Sequence, residues 1–127
     1  MRLLLIALGG ALGTSLRYGV GKLSAEQAAG AGWFPSGTFA VNLLGSLLLG
    51  LLFVLGEGRS LLGVDLRLVL GTGLMGGFTT YSSFNLETLR LLEAGQTGRA
   101  LLYVAITLGS CLVGGALGLA LGRQLQP

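Results

Sequence analysis

The stretch MGGFTTYSSFN, residues Met75 to Asn85, places two glycines and five hydroxyl side chains inside an otherwise apolar part of the sequence. It lies in a charge-poor segment, Leu66 to Leu92, that is long enough to cross a lipid bilayer. Adjacent glycines followed by β-branched threonines weaken an α-helix, so we expect the helix to break near Thr79. Backbone groups freed at mid-membrane need protein or a water-filled cavity, so a break there indicates a functional site. The alternative is a kinked helix whose backbone is solvated by its own hydroxyl groups.

The composition is that of a membrane protein. Of the 127 residues, 52% are hydrophobic and 10% are charged, and the mean hydropathy is +0.80. The apolar runs are continuous and lack the alternation of a lipid-facing barrel strand, so we expect an all-α fold. We predict one domain, residues 1–127, of four transmembrane helices joined by short connections. The predicted spans cover residues 3–23, 34–55, 66–92 and 100–121.

The first predicted span could instead be a secretory signal peptide, because Arg2 precedes an apolar run. A cleaved leader would then have almost no soluble product to deliver, since three more apolar spans follow with short connections. We therefore interpret residues 3–23 as a membrane span. Cys111 lies alone within the fourth span, which excludes an intrachain disulfide.

The basic residues favour neither orientation in the membrane. With both termini on one side, the two sides carry Arg2, Arg59, Arg67 and Arg123 against Arg17, Lys22, Arg90 and Arg99. Because basic residues near span ends normally set the orientation, this tie predicts that the chain inserts both ways, although it could also arise by chance. The expected assembly is an antiparallel, dual-topology homodimer with a two-fold axis in the membrane plane.

Glycine is abundant, with 24 residues, and several glycines recur at four-residue spacing. The rows are Gly9 with Gly13, Gly73 with Gly77, and Gly114 with Gly118 and Gly122. In a membrane such rows let helix backbones approach closely, so we interpret most of them as packing faces without chemistry. Glycine-rich faces would also suit the antiparallel dimer.

Polar side chains recur every four residues along the second and fourth predicted spans. The two stripes are Thr38, Asn42 and Ser46, and Tyr103, Thr107 and Cys111 with Ser110 beside them. Hydrogen bonds between helices, each worth about 0.6–2 kcal/mol, are the alternative explanation. Two stripes beside a broken polar helix favour a lined pathway through the membrane.

The acidic residues lie at span ends or in loops, so the predicted membrane centre carries no negative charge. They are Glu26, Glu57, Asp65, Glu87 and Glu93. We expect Glu87 to pair with Arg90, one turn further along the helix. The amide, the hydroxyl groups and the aromatic ring edges of the spans offer positive or donor groups, which suits a small anion.

Other classes of protein fit less well. A small multidrug exporter needs a membrane-embedded carboxylate, which the predicted spans do not supply. A non-transporting assembly subunit would explain the glycine rows but not the polar stripes. The sequence has no histidine, no metal-ligand cluster and no nucleophile with a base, so an enzyme is not expected. The basic residues are scattered, which does not indicate a nucleic-acid partner.

Three motifs, GGALGTSLRY at 9–18, GTFAVNLLGSLLLG at 37–50 and GLMGGFTTYSSFNLET at 73–88, resemble the Fluc (CrcB) fluoride ion channels. The resemblance extends over essentially the whole chain. It implies a dual-topology antiparallel dimer in the cell inner (plasma) membrane, with fluoride as the transported ion. With no histidine and only peripheral acids to cycle a proton near neutral pH, we expect passive, electrogenic fluoride export that lowers cytoplasmic fluoride toxicity.

Matching positions in the motifs imply the residues of the fluoride pore. They are Asn42, Tyr81 and Phe84, with Thr38 on the second helix and Tyr103, Thr107, Cys111 and Ser110 along the last. The resemblance further implies a basic vestibule residue at Arg17 and a structural sodium ion held by the backbone carbonyls of Gly76 and Thr79. This sequence departs from the family where Tyr81 replaces the usual Phe and Cys111 the frequent Ser.

Overall fold

The computed structural model describes residues 1–28 and 32–126, and side chains outside residues 26–31. Glu26, one of the acids expected near the first connection, therefore lies outside the described side chains. The described chain is mostly helical. Its elements are α1 (Arg2–Ala28), α2 (Ser36–Leu55), β1 (Ser60–Leu61), β2 (Val64–Asp65), a π-helical segment (Leu68–Met75), α3 (Gly76–Phe78), α4 (Tyr81–Glu93) and α5 (Thr97–Leu125).

Three helices of the described chain are long and apolar enough to cross a membrane. They correspond to the first, second and fourth predicted spans and run over Arg2–Ala25, Ser36–Leu55 and Thr97–Leu125. Their surfaces are rich in exposed leucine, as expected for helices that face lipid tails. The chain is thus a helical, multi-pass membrane protein.

The third predicted span is divided into shorter pieces. Thr79 and Thr80 are extended, with φ/ψ angles of −80°/159° and −151°/108°. This confirms the predicted break, but the adjacent glycines before it stay helical, since Gly76 has φ/ψ angles of −61°/−36°. The preceding eight residues, Leu68–Met75, form a π-helix, a rare conformation that occurs frequently at functional sites.

Two of the glycine rows pack α1 closely against the broken third span, residues 68–93, which we call the third segment. A methyl group on Gly13 would overlap the carbonyl oxygen of Leu74, and one on Gly9 would come within 2.8 Å of the Val69 carbonyl oxygen. In the other direction, a methyl group on Gly73 would come within 2.8 Å of the Ile6 carbonyl oxygen. The packing role predicted for these rows is confirmed, and the contacts lie within one chain.

The third row, Gly114, Gly118 and Gly122, packs α5 closely against α2. An added methyl group on Gly118 would overlap the Leu47 carbonyl oxygen, and one on Gly122 would lie 2.7 Å from Cβ of Val54. The four-residue spacing therefore joins α2 to α5. The buried core lies between α2 and the third segment, where Val41, Met75 and Phe78 form one cluster.

A two-stranded hairpin that the sequence did not predict connects α2 to the π-helical segment. Ser60 pairs with Asp65 and Leu61 with Val64 in an antiparallel register. Leu62 and Gly63 form the turn with φ angles of 50° and 76°, the left-handed geometry of a type I′ turn. The hairpin lies within the short connection that the predicted spans leave at residues 56–65.

Candidate functional site

Asn42 of α2 binds the broken backbone of the third segment. Its side-chain Nδ2 donates to the carbonyl oxygen of Thr80 at 3.1 Å, and its Oδ1 accepts from the Thr80 amide at 2.8 Å. Thr80 is 8% exposed, so both of these backbone groups would otherwise lack a partner in an apolar region. The Thr80 hydroxyl then caps α4 by accepting from the amide of Ser83 at 3.2 Å. One polar side chain of α2 thus stabilises the break.

The break diverts two helix amides from their usual acceptors. In a continuous helix the Thr80 amide would bond the Gly76 carbonyl and the Ser83 amide would bond the Thr79 carbonyl. Here the first amide donates to Asn42 and the second to the Thr80 hydroxyl. The carbonyl oxygens of Gly76 and Thr79 are therefore released from the helical pattern. These are the two oxygens that the family resemblance implies as sodium ligands.

Arg17 reaches the same break from α1. Its Nε donates to the carbonyl oxygen of Gly77 at 3.0 Å, and the Thr14 hydroxyl approaches that oxygen at 3.5 Å. A cation at the end of a helix is favourable, because the final carbonyls carry partial negative charge. Arg17 also lines a cavity of about 470 Å³ together with Lys22 and Thr80. The predicted vestibule residue thus lies in a basic cavity and also binds the broken segment.

A second cavity, of about 250 Å³, lies on the other side of the break. It brings together Asn42, Tyr81, Phe84, Thr107 and Cys111, five of the predicted pore residues. Within the described part of the chain, the buried Thr107 hydroxyl has no hydrogen-bond partner. A methyl group on Gly45, which also lines this cavity, would overlap the Thr79 methyl group. We name this space the polar cavity.

Thr38 and Tyr103 meet at a carboxylate that the sequence reasoning placed elsewhere. The Thr38 hydroxyl donates to Oε1 of Glu87 at 2.6 Å, and the Tyr103 hydroxyl donates to Oε2 at 2.7 Å. The expected pair between Glu87 and Arg90 is absent, since the one salt bridge in the described residues joins Arg67 to Asp65. The overlooked signal is spacing: Glu87 follows Phe84 by three residues on α4 and thus shares its face.

Aromatic rings connect this carboxylate to the polar cavity. The ring of Phe84 lies 5.8 Å from that of Tyr81 and 5.2 Å from that of Tyr103, measured between centroids. The ring of Phe34, in the connection before α2, meets Tyr103 edge-on at 5.3 Å. Phe84 is 6% exposed whereas Tyr81 is 76% exposed, so Tyr81 points away from the protomer.

Ser110 lies apart from the other predicted pore residues. It lines a groove on the opposite side of the α2–α5 pair, where its neighbours include Leu43, Ala105 and Val113. On a helix of 3.6 residues per turn, Ser110 is offset by about 60° from Thr107 and by about 100° from Cys111. The structure therefore does not bring Ser110 together with the polar cavity.

These observations define a class: a multi-pass helical membrane protein with a polar site at a helix break. The chain belongs to the CrcB family, because the family described as "CrcB-like protein, Camphor Resistance (CrcB)" matches residues 4–119. The family resemblance drawn from the three motifs is confirmed.

Close relatives carry one name. A protein of Sorangium cellulosum (strain So ce56) is 51% identical over 120 residues, covering 94% of this chain and 93% of its own length. A protein of Thermus thermophilus is 50% identical over 124 residues, covering 98% and 97%. One of Chloroflexus aurantiacus is 46% identical over 121 residues, covering 95% and 94%. Each is named "Fluoride-specific ion channel FluC".

Proposed function

We propose that this chain is a fluoride-selective ion channel of the cell inner membrane that exports fluoride passively and electrogenically. The observation that carries the proposal is the polar cavity, which gathers Asn42, Phe84 and Thr107 beside the broken segment. Its unpartnered Thr107 hydroxyl and its ring edges are suited to a small, strongly accepting anion. The name shared by the relatives, an ion channel rather than an enzyme, supports the same function.

Passive flow is favoured over proton exchange because the polar cavity has no carboxylate or histidine in its lining. Glu87 lies beyond it, and both oxygens of its carboxylate are bonded to hydroxyl groups. A planar bilayer with opposed fluoride and pH gradients tests this directly. The reversal potential should follow the fluoride gradient alone, and displacement by the pH gradient would exclude a simple channel.

Selectivity needs a separate measurement. Purified protein in liposomes should release fluoride much faster than chloride, because chloride is larger and a weaker hydrogen-bond acceptor. Equal efflux of both ions would contradict a fluoride-specific channel.

The Glu87→Gln variant tests passive flow against proton exchange. It should leave the reversal potential unchanged if Glu87 carries no proton.

An antiparallel homodimer is the second part of the proposal. The glycine rows pack within the chain, so they no longer argue for a dimer interface. Support comes from polar groups at the break that a single protomer leaves exposed. They are the backbone at Gly76 and the side chains of Tyr81, Ser82 and Asn85. Polar groups that face lipid at mid-membrane are costly, and a second copy would cover them.

The equal number of basic residues on the two predicted sides of the membrane supports dual topology for this dimer. A reporter fused to the C-terminus should therefore be found on both sides of the membrane in comparable amounts. Two or three lysines added to one connection should fix one orientation and abolish transport, because the antiparallel partner is then missing. A single fixed orientation of the unmodified chain would contradict the proposal.

A structural sodium ion at the dimer centre is the third part. The carbonyl oxygens of Gly76 and Thr79 are released by the break, and hard cations prefer oxygen ligands. Within the described residues no cluster of acidic, histidine or cysteine side chains could hold a metal ion. The bound ion would supply positive charge that fixes the two carbonyls. Sodium should raise the thermal stability of the purified protein more than an organic cation at equal ionic strength.

A further inference from the structure

Arg67 is held in a defined position at the end of the membrane region opposite to Arg17. Its backbone amide donates to Oδ1 of Asp65 at 2.8 Å, and its Nη2 approaches Oδ2 at 3.4 Å. The guanidinium carbon lies 5.3 Å from the ring centroid of Phe53, a distance that permits a cation–π interaction. A Cβ on Gly56 would come within 3.0 Å of Cγ of Arg67, so the glycine leaves room for this side chain. The guanidinium thus lies between the Asp65 carboxylate and the Phe53 ring.

The ring of Phe53, which lies against the Arg67 guanidinium, lines a groove that continues from the polar cavity. The groove lies open along α2 and α5, has a volume of about 640 Å³, and shares Ser46, Leu49 and Cys111 with the polar cavity. Phe53 is part of its wall near the end of α2. From Thr38 to Phe53, α2 rises by about 22 Å, most of the hydrocarbon thickness of a bilayer. The basic cavity of Arg17, the polar cavity and the groove therefore follow one another along α2.

We propose that Arg67 is the cation of the second mouth of this pathway, where it concentrates fluoride. The inference rests on the proposed function and assigns a residue to it. The groove wall is almost wholly apolar and carries little polar surface to screen a charge, so charges at its end act over a longer range than in water. Asp65 offsets part of the charge of Arg67 through a single long contact of 3.4 Å, and the guanidinium is the group that lies against the ring of the groove wall. Within the described residues Nη1 and Nε of Arg67 donate to no protein acceptor, so two donor groups remain for an anion.

Ionic strength separates this electrostatic role from a structural one. Single-channel fluoride conductance of the full-length protein is measured in planar bilayers at low ionic strength and again with an impermeant salt added. Arg67→Gln should lower conductance by about two- to threefold at low ionic strength, because one unit charge near the mouth is lost. The difference should vanish at high ionic strength, where the Debye length falls to about 3 Å.

Two further variants complete the test. Arg67→Lys keeps the charge and should retain most of the conductance at low ionic strength. Arg59→Gln removes a charge from the same connection that makes no cation–π contact with Phe53 among the described residues, and should lower conductance less than Arg67→Gln does. Equal conductance of Arg67→Gln and the unmodified protein at low ionic strength would overturn the inference. A loss that is the same at every ionic strength, or that Arg67→Lys shares, would also overturn it in favour of a purely structural role. Absence of fluoride current in the unmodified protein would instead overturn the proposed function.

Discussion

Asn42 and Thr80 are joined by two hydrogen bonds that run in opposite directions, one donated by the side-chain amide and one accepted by its oxygen. This is the pairing that a neighbouring β-strand would offer to an extended residue. A single side chain therefore satisfies both backbone groups of Thr80, and among the described residues the second Nδ2 hydrogen of Asn42 has no acceptor. That hydrogen belongs to a residue that lines the polar cavity.

Replacing Asn42 with aspartate should damage both the fold and transport. The carboxylate can accept from the Thr80 amide but cannot donate to the Thr80 carbonyl, which would cost about 1–3 kcal/mol of unfolding free energy. The added negative charge should also lower fluoride flux by more than about tenfold. Thermal unfolding in detergent and liposome efflux measure the two effects. Ser46→Ala is the control for stability, because its hydroxyl bonds only the Asn42 carbonyl of its own helix. An unchanged flux in Asn42→Asp would contradict a role in the pathway.

An added methyl group should destabilise the protein at Gly13, where α1 contacts the third segment, but not at Gly19 of the same helix. Gly13→Ala places Cβ against the backbone of Leu74 and Phe78, and we expect a loss of about 1–3 kcal/mol or more. Gly19, six residues further on the same helix, has open space around its Cα. Gly19→Ala should be neutral or should stabilise the helix by up to about 1 kcal/mol. Equal unfolding temperatures for the two variants would show that the seam is not tightly packed.

Phe84→Ile should reduce fluoride flux while leaving the protein folded. The substitution keeps an apolar side chain of similar bulk but removes ring edges between Tyr81 and Tyr103. If that edge contact is worth about 0.5–1.5 kcal/mol to a passing anion, flux should fall about two- to tenfold. Phe39→Ile removes a ring that meets Phe34 and is absent from the polar-cavity lining, so it serves as the matched control. Normal flux in Phe84→Ile would mean that this ring only packs.

Acid should weaken the hairpin through Asp65. The pKa of this carboxyl group lies below its ordinary value of 3.8, mainly because the Arg67 amide donates to it and further because the Arg67 guanidinium does. A lowered folded-state pKa stabilises the protein above the unfolded pKa, and this contribution is lost as the pH falls through the folded value. The advantage of the unmodified protein over Asp65→Asn in unfolding temperature should therefore shrink below about pH 4. Because Asp65 is exposed, the expected effect is small, and a constant difference would contradict it.

The helix break was predictable because its cause is local. Two glycines and two β-branched residues weaken any helix, and the polar run cannot face lipid. The predicted position near Thr79 was also right, whereas the contact that stabilises the break was not predictable, because it comes from Asn42, which is distant in the sequence. The glycine rows were predictable for the same reason as the break, as spacing alone determines which residues share a face. Which rows face each other depends on tertiary packing.

The features that were missed have three different causes. Glu87 has a nearby arginine, and helix spacing favoured that partner over the hydroxyl groups of Thr38 and Tyr103. The hairpin was hidden because Leu62 occupies a left-handed position that usually takes asparagine or glycine. Ser110 was grouped with Thr107 and Cys111 by proximity in sequence, whereas helix rotation turns it to another groove.

The close contacts at the glycine rows affect how the protein assembles after insertion into the membrane. Because Gly13 and Gly118 close contacts inside one chain, a newly inserted protomer can complete its own packing before it meets another copy. Such a monomer has these helix contacts in place, although the exposed polar groups at its break still face the lipid. In the dual-topology assembly proposed above this independence would be useful, because an antiparallel partner is produced only when another copy inserts the other way.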